Sequence, residues 1–210
     1  MKKNYFLKRL FILFFLIESI TNIFAQSHVY VGDIYYSNGT VSGNDVNSIN
    51  IFYDQGKYPT GIVCYVEPNN PAKGWVVSLK DANNGTPCIW GNTGDNAGLN
   101  KYTVARGWYS YDLEAITDTT GYQETQAIRL KSNYSSYSAF VAAYAYNDGK
   151  YPPNTGKWFL PAAGQLRILY ANYNEINKSI DNLNKSKYGA SKADKLSNYI
   201  YWSSSECSTV

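Results

Sequence analysis

The side chains that most often carry catalysis or bind metals are scarce in this sequence. Past residue 25 it has three cysteines, Cys64, Cys88 and Cys207, and its single histidine, His28. Their spacing fits no zinc motif, and His28 has no cysteine close to it in sequence with which to form a nucleophile pair. An odd number of cysteines leaves at least one thiol unpaired, so a Cys64–Cys88 disulfide and three buried, reduced thiols both stay open.

Carboxylates and hydroxyls are plentiful but form no recognisable catalytic set. Asp112, Glu114 and Asp118 cluster in the sequence, as solvated loop residues typically do. No lysine or histidine is arranged with a serine as a nucleophile set. A carboxylate pair for glycoside cleavage depends on a separation in space that the sequence does not give. We therefore expect a protein that is not an enzyme and that holds no metal and no cofactor.

The five tryptophans are the remaining candidates for function, because ligand sites commonly combine aromatic faces with a few orienting polar groups. Three of them lie in apolar runs that favour packing in the core: Trp75, Trp158 and Trp202. Of the other two, Trp90 lies within the Gly- and Asn-rich stretch 83–107 and Trp108 directly follows it, and loops of that length are usually functional or mobile. The sequence predicts Trp90 and Trp108 as the ligand-binding residues.

Residues 1–25 have the pattern of an export signal. A basic start is followed by the unbroken apolar run Leu10–Ile17 and by a cleavage site after Ala25. The run has eight residues, far short of the roughly 20 that span a bilayer. We expect an exported protein at the cell surface, outer membrane-associated or secreted, with no transmembrane segment.

The charge balance argues against nucleic acid as a partner. Four of the 19 basic and one of the 16 acidic residues lie in 1–25, so residues 26–210 carry 15 of each sign. A phosphate-binding surface would normally show a basic excess. The many tyrosines and asparagines favour an adhesive surface of amphipathic rings and amides, or simply reflect the preference of tyrosine for β-sheets.

Strand patterns dominate the first third of the chain after residue 25. The stretch 29–36, the turn Ser37-Asn38-Gly39-Thr40 and a return at Val41 predict a hairpin. A polar stretch, 42–50, follows. The continuous apolar runs Gly61–Val66 and Trp75–Leu79 predict two buried, neighbouring strands joined by a protruding loop.

Helical patterns dominate the second half. Apolar spacing over 125–146 predicts one interrupted helix or two. A single amphipathic helix is predicted from Pro161, with apolar residues at spacings of three and four through Leu183. A further strand is predicted to begin at Tyr199–Trp202.

Two segments carry a resemblance to a known family: Gly156-Lys157-Trp158-Phe159-Leu160-Pro161-Ala162-Ala163-Gly164-Gln165-Leu166 and Tyr201-Trp202-Ser203-Ser204-Ser205-Glu206. They resemble the C-terminal domain of the Legionella collagen-like adhesin, which recurs in exported proteins of Bacteroidetes-type bacteria. The resemblance covers most of 31–206 and implies an α+β, C-type-lectin-like fold, distantly similar to formylglycine-generating enzymes. That fold has a mixed sheet, two flanking helices and long loops.

The chain departs from the family pattern at two points. Gln165 replaces the usual acidic residue, which predicts a weaker capping or ion-pair role there. The further Tyr-rich strands of the family are missing after Glu206, so the resemblance implies a domain incomplete at its C-terminus. The expected organisation is a signal peptide at 1–25, an N-terminal β-hairpin segment at 26–60 and a truncated C-type-lectin-like domain at 61–210.

Glu67-Pro68-Asn69 matches the tripeptide with which calcium-dependent lectins select mannose-type sugars. Calcium takes about six to eight oxygen ligands. The nearest further candidates, Asp95 and Asn96, lack the surrounding pattern of such a site, so we predict no metal.

Taken together, these features predict an exported adhesion protein that binds glycans or a surface-protein partner. The alternative is a structural or assembly component of a surface fibre, in which a strand from a partner completes the sheet.

Overall fold

The chain folds as an α+β protein, as the sequence predicts. The computed structural model describes residues 13–15, 28–84, 86–92, 96–99, 101–103, 115–146, 158–189, 193–197 and 201–208. The strands in these ranges are β1 (Leu13–Phe15), β2 (Ile34–Tyr36), β3 (Val41–Ser42), β4 (Pro59–Glu67), β5 (Asn70–Ser78), β6 (Lys101–Thr103), β7 (Trp158–Phe159) and β8 (Glu206–Ser208). The α-helices are α1 (Val46–Asp54), α2 (Gly121–Arg129), α3 (Ser138–Ala145), α4 (Ala163–Ala171) and α5 (Tyr173–Lys185). Short 3-10 turns lie at Ala115–Thr117 and Tyr134–Ser136.

The main sheet has six strands in the order β3-β2-β4-β5-β1-β7, and every neighbouring pair is antiparallel. A separate parallel pair joins β6 to β8. Since β2 pairs with β4, the hairpin from the predicted segment 26–60 and the strands of the predicted domain 61–210 share one sheet. Three residues of the predicted export signal form β1, between β5 and β7.

Successive residues of β2, β4, β5 and β7 enter two different hydrophobic clusters, because side chains alternate across a sheet. Val63 and Val76 pack with residues of α2 and α3 on one face. Ile62 and Val77 pack with residues of α1, α4 and α5 on the other face. The sheet is therefore the middle of three layers, with five helices in the described ranges rather than the two implied by the family resemblance.

The predicted hairpin at 37–40 is confirmed. Gly39 has φ +84°, the left-handed conformation that such a turn requires of one residue. The Asn38 carboxamide oxygen accepts hydrogen bonds from the Thr40 N–H and hydroxyl. The first strand is shorter than the predicted 29–36, because the chain turns at Gly32, where φ is +97°.

The two apolar runs form neighbouring strands as predicted, but their connection differs. β4 and β5 pair from Gly61↔Ser78 to Glu67↔Asn70. The expected protruding loop is therefore mostly strand, and Pro68 and Asn69 alone make the turn.

The predicted polar stretch 42–50 contains the start of helix α1. The Asp45 carboxylate accepts the Ser48 N–H at 3.0 Å and caps the first turn. Gly56, with φ +72°, follows the last turn. Both signals were present in the sequence, but the polarity of the stretch hid them.

The single helix predicted from Pro161 to Leu183 is wrong in its continuity. The helix is interrupted at Asn172, between α4 and α5. The Asn172 amide donates to the carbonyl oxygens of Cys64 on β4, at 3.1 Å, and of Ile168, at 3.2 Å. A contact with a strand more than 100 residues earlier in the sequence thus accompanies the break. Over 125–146, in contrast, the alternative of two helices is confirmed, as α2 and α3.

The last strand of the described ranges is β8, at Glu206–Ser208, after the position where the sequence predicts a strand to begin. Of that predicted strand, residues 199 and 200 lie outside the described ranges. Tyr201 makes only an isolated bridge, and Trp202 is irregular.

The Cys64–Cys88 disulfide that the sequence left open does not form, because the two residues lie in different clusters and both are free thiols. The Cys64 thiol donates to the Trp75 carbonyl oxygen at 3.3 Å. Burial raises the pKa of both thiols, which disfavours the reactive thiolate.

Candidate functional site

Trp90, one of the two predicted ligand-binding residues, is half-buried against the core. Its ring lies edge-on to Phe140 at 5.5 Å and to Tyr137 at 6.0 Å between centroids. Its indole N–H donates to the Ser203 carbonyl oxygen at 2.7 Å. Trp90 thus connects the long loop to the core. The other predicted residue, Trp108, lies outside the described residues.

The Tyr-Trp-Ser-Ser-Ser-Glu segment, 201–206, is a centre of long-range hydrogen bonds. The Trp202 indole N–H donates to the Cys88 carbonyl oxygen at 2.8 Å, which reciprocates the Trp90 bond to Ser203. The Glu206 carboxylate accepts the Ala97 N–H at 2.9 Å and the Leu99 N–H at 3.1 Å. The segment therefore holds the long loop at two places, around residues 88–90 and 97–99.

A buried carboxyl pair lies directly beneath this segment. Ser204 Oγ donates to Glu124 Oε2 at 2.5 Å, and Ser205 Oγ donates to Asp118 Oδ2 at 2.6 Å. Asp118 also accepts from the Thr120 N–H and hydroxyl. The sequence predicted Asp118 to be a solvated loop residue; this is wrong, since its side chain is buried. Asp112 and Glu114 lie outside the described residues.

Burial raises the pKa of Glu124 to about 7, and the nearby negative charge of Asp118 acts in the same direction. The hydrogen bond from Ser204 lowers the pKa but does not compensate. Within the described part of the chain, Glu124 Oε1 has no hydrogen-bond partner. With two carboxyl groups close together and the pKa of one of them raised, the pair has the composition of an acid–base site. Its burial keeps it from a substrate, so in this conformation it is a structural element.

Gln165 lies next to this pair at the start of α4 and performs the capping role that the sequence predicted to be weak. Its side-chain oxygen accepts the Ala162 N–H at 2.9 Å, as the glutamine of a capping box does. Ser205 Oγ accepts the next N–H, that of Ala163, at 2.9 Å. The two motif segments, 156–166 and 201–206, thus meet at this helix N-terminus.

A groove of about 590 Å³ lies on the outer side of this junction, between α4, the start of α5 and the chain before and after Tyr201. We call it the tyrosine groove. Its walls are almost entirely apolar, and among the described lining residues Arg167 alone carries a charge. The groove lining includes Leu166, Arg167, Tyr170, Tyr173 and Tyr201.

Tyr170 is the accessible aromatic residue of the groove. Its side chain is 66% exposed, and its ring centroid lies 5.9 Å from that of Tyr173, at an interplanar angle of 43°. Tyr201, in contrast, is held in place: its hydroxyl accepts the Ser197 N–H at 2.8 Å and donates to the Ser197 carbonyl oxygen at 3.1 Å. The groove therefore combines a fixed ring in its wall with a solvent-exposed ring.

Sequence reasoning did not identify the tyrosine groove. The apolar face predicted for one continuous helix after Pro161 includes Tyr173, and the strand predicted at Tyr199–Trp202 includes Tyr201, so neither residue indicates a groove. The signal that remained was Tyr170, three residues before Tyr173, next to Arg167. Recognising the groove would have required knowing that the helix breaks at Asn172.

The remaining predicted features are unremarkable in geometry. Glu67-Pro68-Asn69 lies at the tip of the β4–β5 hairpin. Nowhere in the described ranges do three histidine, cysteine or acidic side chains converge as metal ligands would. No helix in those ranges is both long and apolar enough for a membrane span.

Comparison with family models, with curated proteins and with solved structures gives no match to the chain.

Proposed function

We propose that this protein is an exported, cell-surface binding protein that adheres through glycans, and that the tyrosine groove is its ligand site. One observation carries the proposal: an exposed tyrosine ring, Tyr170, stands beside Tyr173 and Arg167 at the rim of a groove of about 590 Å³. Many ligand sites combine aromatic faces, which provide affinity, with a few polar groups at the edge, which orient the ligand.

A sugar suits this groove because a pyranose ring has an apolar C–H face and a polar edge. The C–H face would stack on the Tyr170 and Tyr173 rings, while hydroxyl or acidic groups of the glycan would reach the Arg167 guanidinium. Arg167 also favours glycans that carry carboxylate or sulfate groups. We thus expect acidic polysaccharides to bind better than neutral ones.

Export and fold enter the proposal on sequence grounds. The export signal at 1–25 supports a location at the cell surface or outside the cell. The C-type-lectin-like assignment is supported by the two motif segments, and an α+β architecture is compatible with it. A partner protein at the surface remains an alternative ligand for the same groove.

A glycan panel that includes sulfated and uronic-acid polysaccharides tests the proposal. The exported protein should bind at least one of them saturably, and Tyr170→Ala should weaken that binding at least tenfold, or about 1.4 kcal/mol. Tyr30→Ala is a matched control, since Tyr30 is 63% exposed and does not line the groove. Arg167→Ala should selectively reduce binding to the acidic members.

Two results would contradict the proposal: no binding anywhere on the panel, or binding that Tyr170→Ala and Tyr173→Ala both leave unchanged. Loss of binding in Trp90→Ala and Trp108→Ala, but not in the groove variants, would instead support the ligand residues predicted from the sequence.

A further inference from the structure

The strand β1 occupies an interior position of the main sheet. Leu13, Phe14 and Phe15 pair with Val77, Val76 and Trp75 of β5. On the other side, Leu13 and Phe14 pair with Phe159 and Trp158 of β7. Both pairings are antiparallel, so the backbone of β1 holds β7 to the rest of the sheet.

The position is covered on both faces. Val76 and Trp158 belong to the cluster beneath α2 and α3, whereas Val77 and Phe159 belong to the cluster beneath α4 and α5. All four side chains are buried. A strand between them must therefore be apolar on both faces, which in sequence is a continuous apolar run without charge.

The segment that fills this position lies inside the predicted export signal, and removal of residues 1–25 would take it away. The facing N–H and C=O groups of β5 and β7 would then lose their partners in the interior of the sheet, where an unpaired backbone group is costly. The position would become an acceptor slot, a gap between two strands that are themselves held in place by the flanking helices.

Residues 26–210 offer no obvious replacement. The apolar runs Gly61–Val66 and Trp75–Leu79 already form β4 and β5, the apolar run 139–146 lies mostly in α3, and Trp158–Phe159 is β7 itself. The remaining candidate around Tyr201 begins with an asparagine and a tyrosine and ends in a run of serines. The apolar occupant that the slot requires therefore has to be supplied from outside this stretch of sequence.

We propose that in the processed protein the slot between β5 and β7 accepts an extended, uncharged, apolar strand from a partner polypeptide, antiparallel to both neighbours. Strand addition of this kind gives affinity through backbone hydrogen bonds and selectivity through alternating side chains. The inference rests on removal of residues 1–25, and it is independent of the glycan proposal.

The test uses the protein exported from cells that express the whole gene. Mass spectrometry first defines its N-terminus. Hydrogen exchange then measures the amides of Trp75–Val77 and Trp158–Phe159, with the β2–β3 hairpin as an internal reference. The probe is a synthetic peptide of Leu10–Ile17 flanked by lysines for solubility. The matched control is the same peptide with Phe14→Pro, because proline cannot complete a central strand.

We expect an N-terminus beyond residue 15, rapid exchange of those amides in both segments that face the slot, and at least tenfold slower exchange of the same amides when the peptide is added. The proline peptide should bind at least tenfold more weakly. Tyr170→Ala should leave peptide binding unchanged, which separates this slot from the tyrosine groove.

Three results would each overturn the proposal. Retention of residues 13–15 would mean that β1 is a permanent strand of the protein. Slow exchange of the slot-facing amides without peptide would mean that the slot is closed or already filled by the protein itself. Rapid exchange that the peptide does not change would mean that the slot does not accept a strand.

Discussion

The raised pKa of Glu124 makes the stability of the fold depend on pH in an unusual direction. Most carboxyl groups that gain partners on folding stabilise a protein more as the pH rises. Glu124 is buried and has a pKa of about 7 in the folded chain, against an ordinary value of 4.5. Between these two values the folded state therefore holds a proton that the unfolded state has released.

The sign follows from this proton balance. Below pH 4.5 Glu124 is protonated in both states, and its stabilising contribution is fully present. As the pH rises through 4.5 to 7 the contribution is progressively lost, because folding then requires uptake of a proton. A tenfold change in a protonation equilibrium is worth about 1.4 kcal/mol. Since the protein relaxes around a new charge, we expect a total loss on the order of 2 kcal/mol.

The variant Glu124→Gln isolates this effect, because an amide keeps the shape and accepts the hydrogen bond from Ser204 but does not titrate. The free energy of unfolding of both proteins is measured by urea denaturation from pH 4.5 to 7.5. The wild type should lose about 2 kcal/mol relative to the variant across that range. Glu67→Gln, at the end of β4 and away from this carboxyl pair, is the matched control substitution.

A difference between wild type and Glu124→Gln that stays constant over this pH range would refute the reasoning. A difference that shifts in favour of the wild type with rising pH would show that Glu124 is ionised in the folded protein. In either case the interpretation of Glu124 as a carboxyl group whose pKa is raised by burial would have to be abandoned.

Three further predictions concern the packing of the fold. Glu206→Gln replaces one of the two carboxylate oxygens that accept the loop amides, so it should lower the free energy of unfolding by about 1–2 kcal/mol. Hydrogen exchange at 96–99 should become faster, and unchanged exchange would contradict these hydrogen bonds. Ile180→Ala should cost about 2–5 kcal/mol in urea denaturation, whereas Leu130→Ala, at a residue that is 84% exposed, should stay within about 0.5 kcal/mol. Asp45→Ala should lower the free energy of unfolding by about 1 kcal/mol through loss of the α1 cap. Asp45→Asn should lower it much less, because the amide oxygen can still accept the Ser48 N–H; equal losses would show that this hydrogen bond does not stabilise α1.

Local patterns in the sequence predicted local structure well. The Asn38-Gly39 turn and the β4–β5 pair follow from residues that are close together in the chain, and both are present in the structure. The boundaries were less accurate where a distant partner decided them. The helix after Pro161 is interrupted at Asn172 and does not run unbroken to Leu183, and the Asn172 amide donates to a carbonyl group on β4 at this break.

The candidate site was harder to predict because its parts are far apart in sequence. Ser204 and Glu124 are 80 residues apart, and Ser205 and Asp118 are 87 apart. The motif segments pointed to important positions, but nothing in them indicated that the serines of one would bind buried carboxyl groups. The tyrosine groove depends on the helix break in the same way, and was missed for that reason.

The exchange of hydrogen bonds between Trp90 and Trp202 has a consequence for how the chain folds in time. Each indole binds a carbonyl group on the opposite segment, across 113 and 114 residues. Contacts of such long range form slowly, since a large loop must close before they contribute. While the chain is being synthesised, the region around Trp90 cannot reach its final arrangement until Trp202 and Ser203 have emerged. The tryptophans should therefore report the last step of folding, and their fluorescence should change later than the backbone signal of the helices.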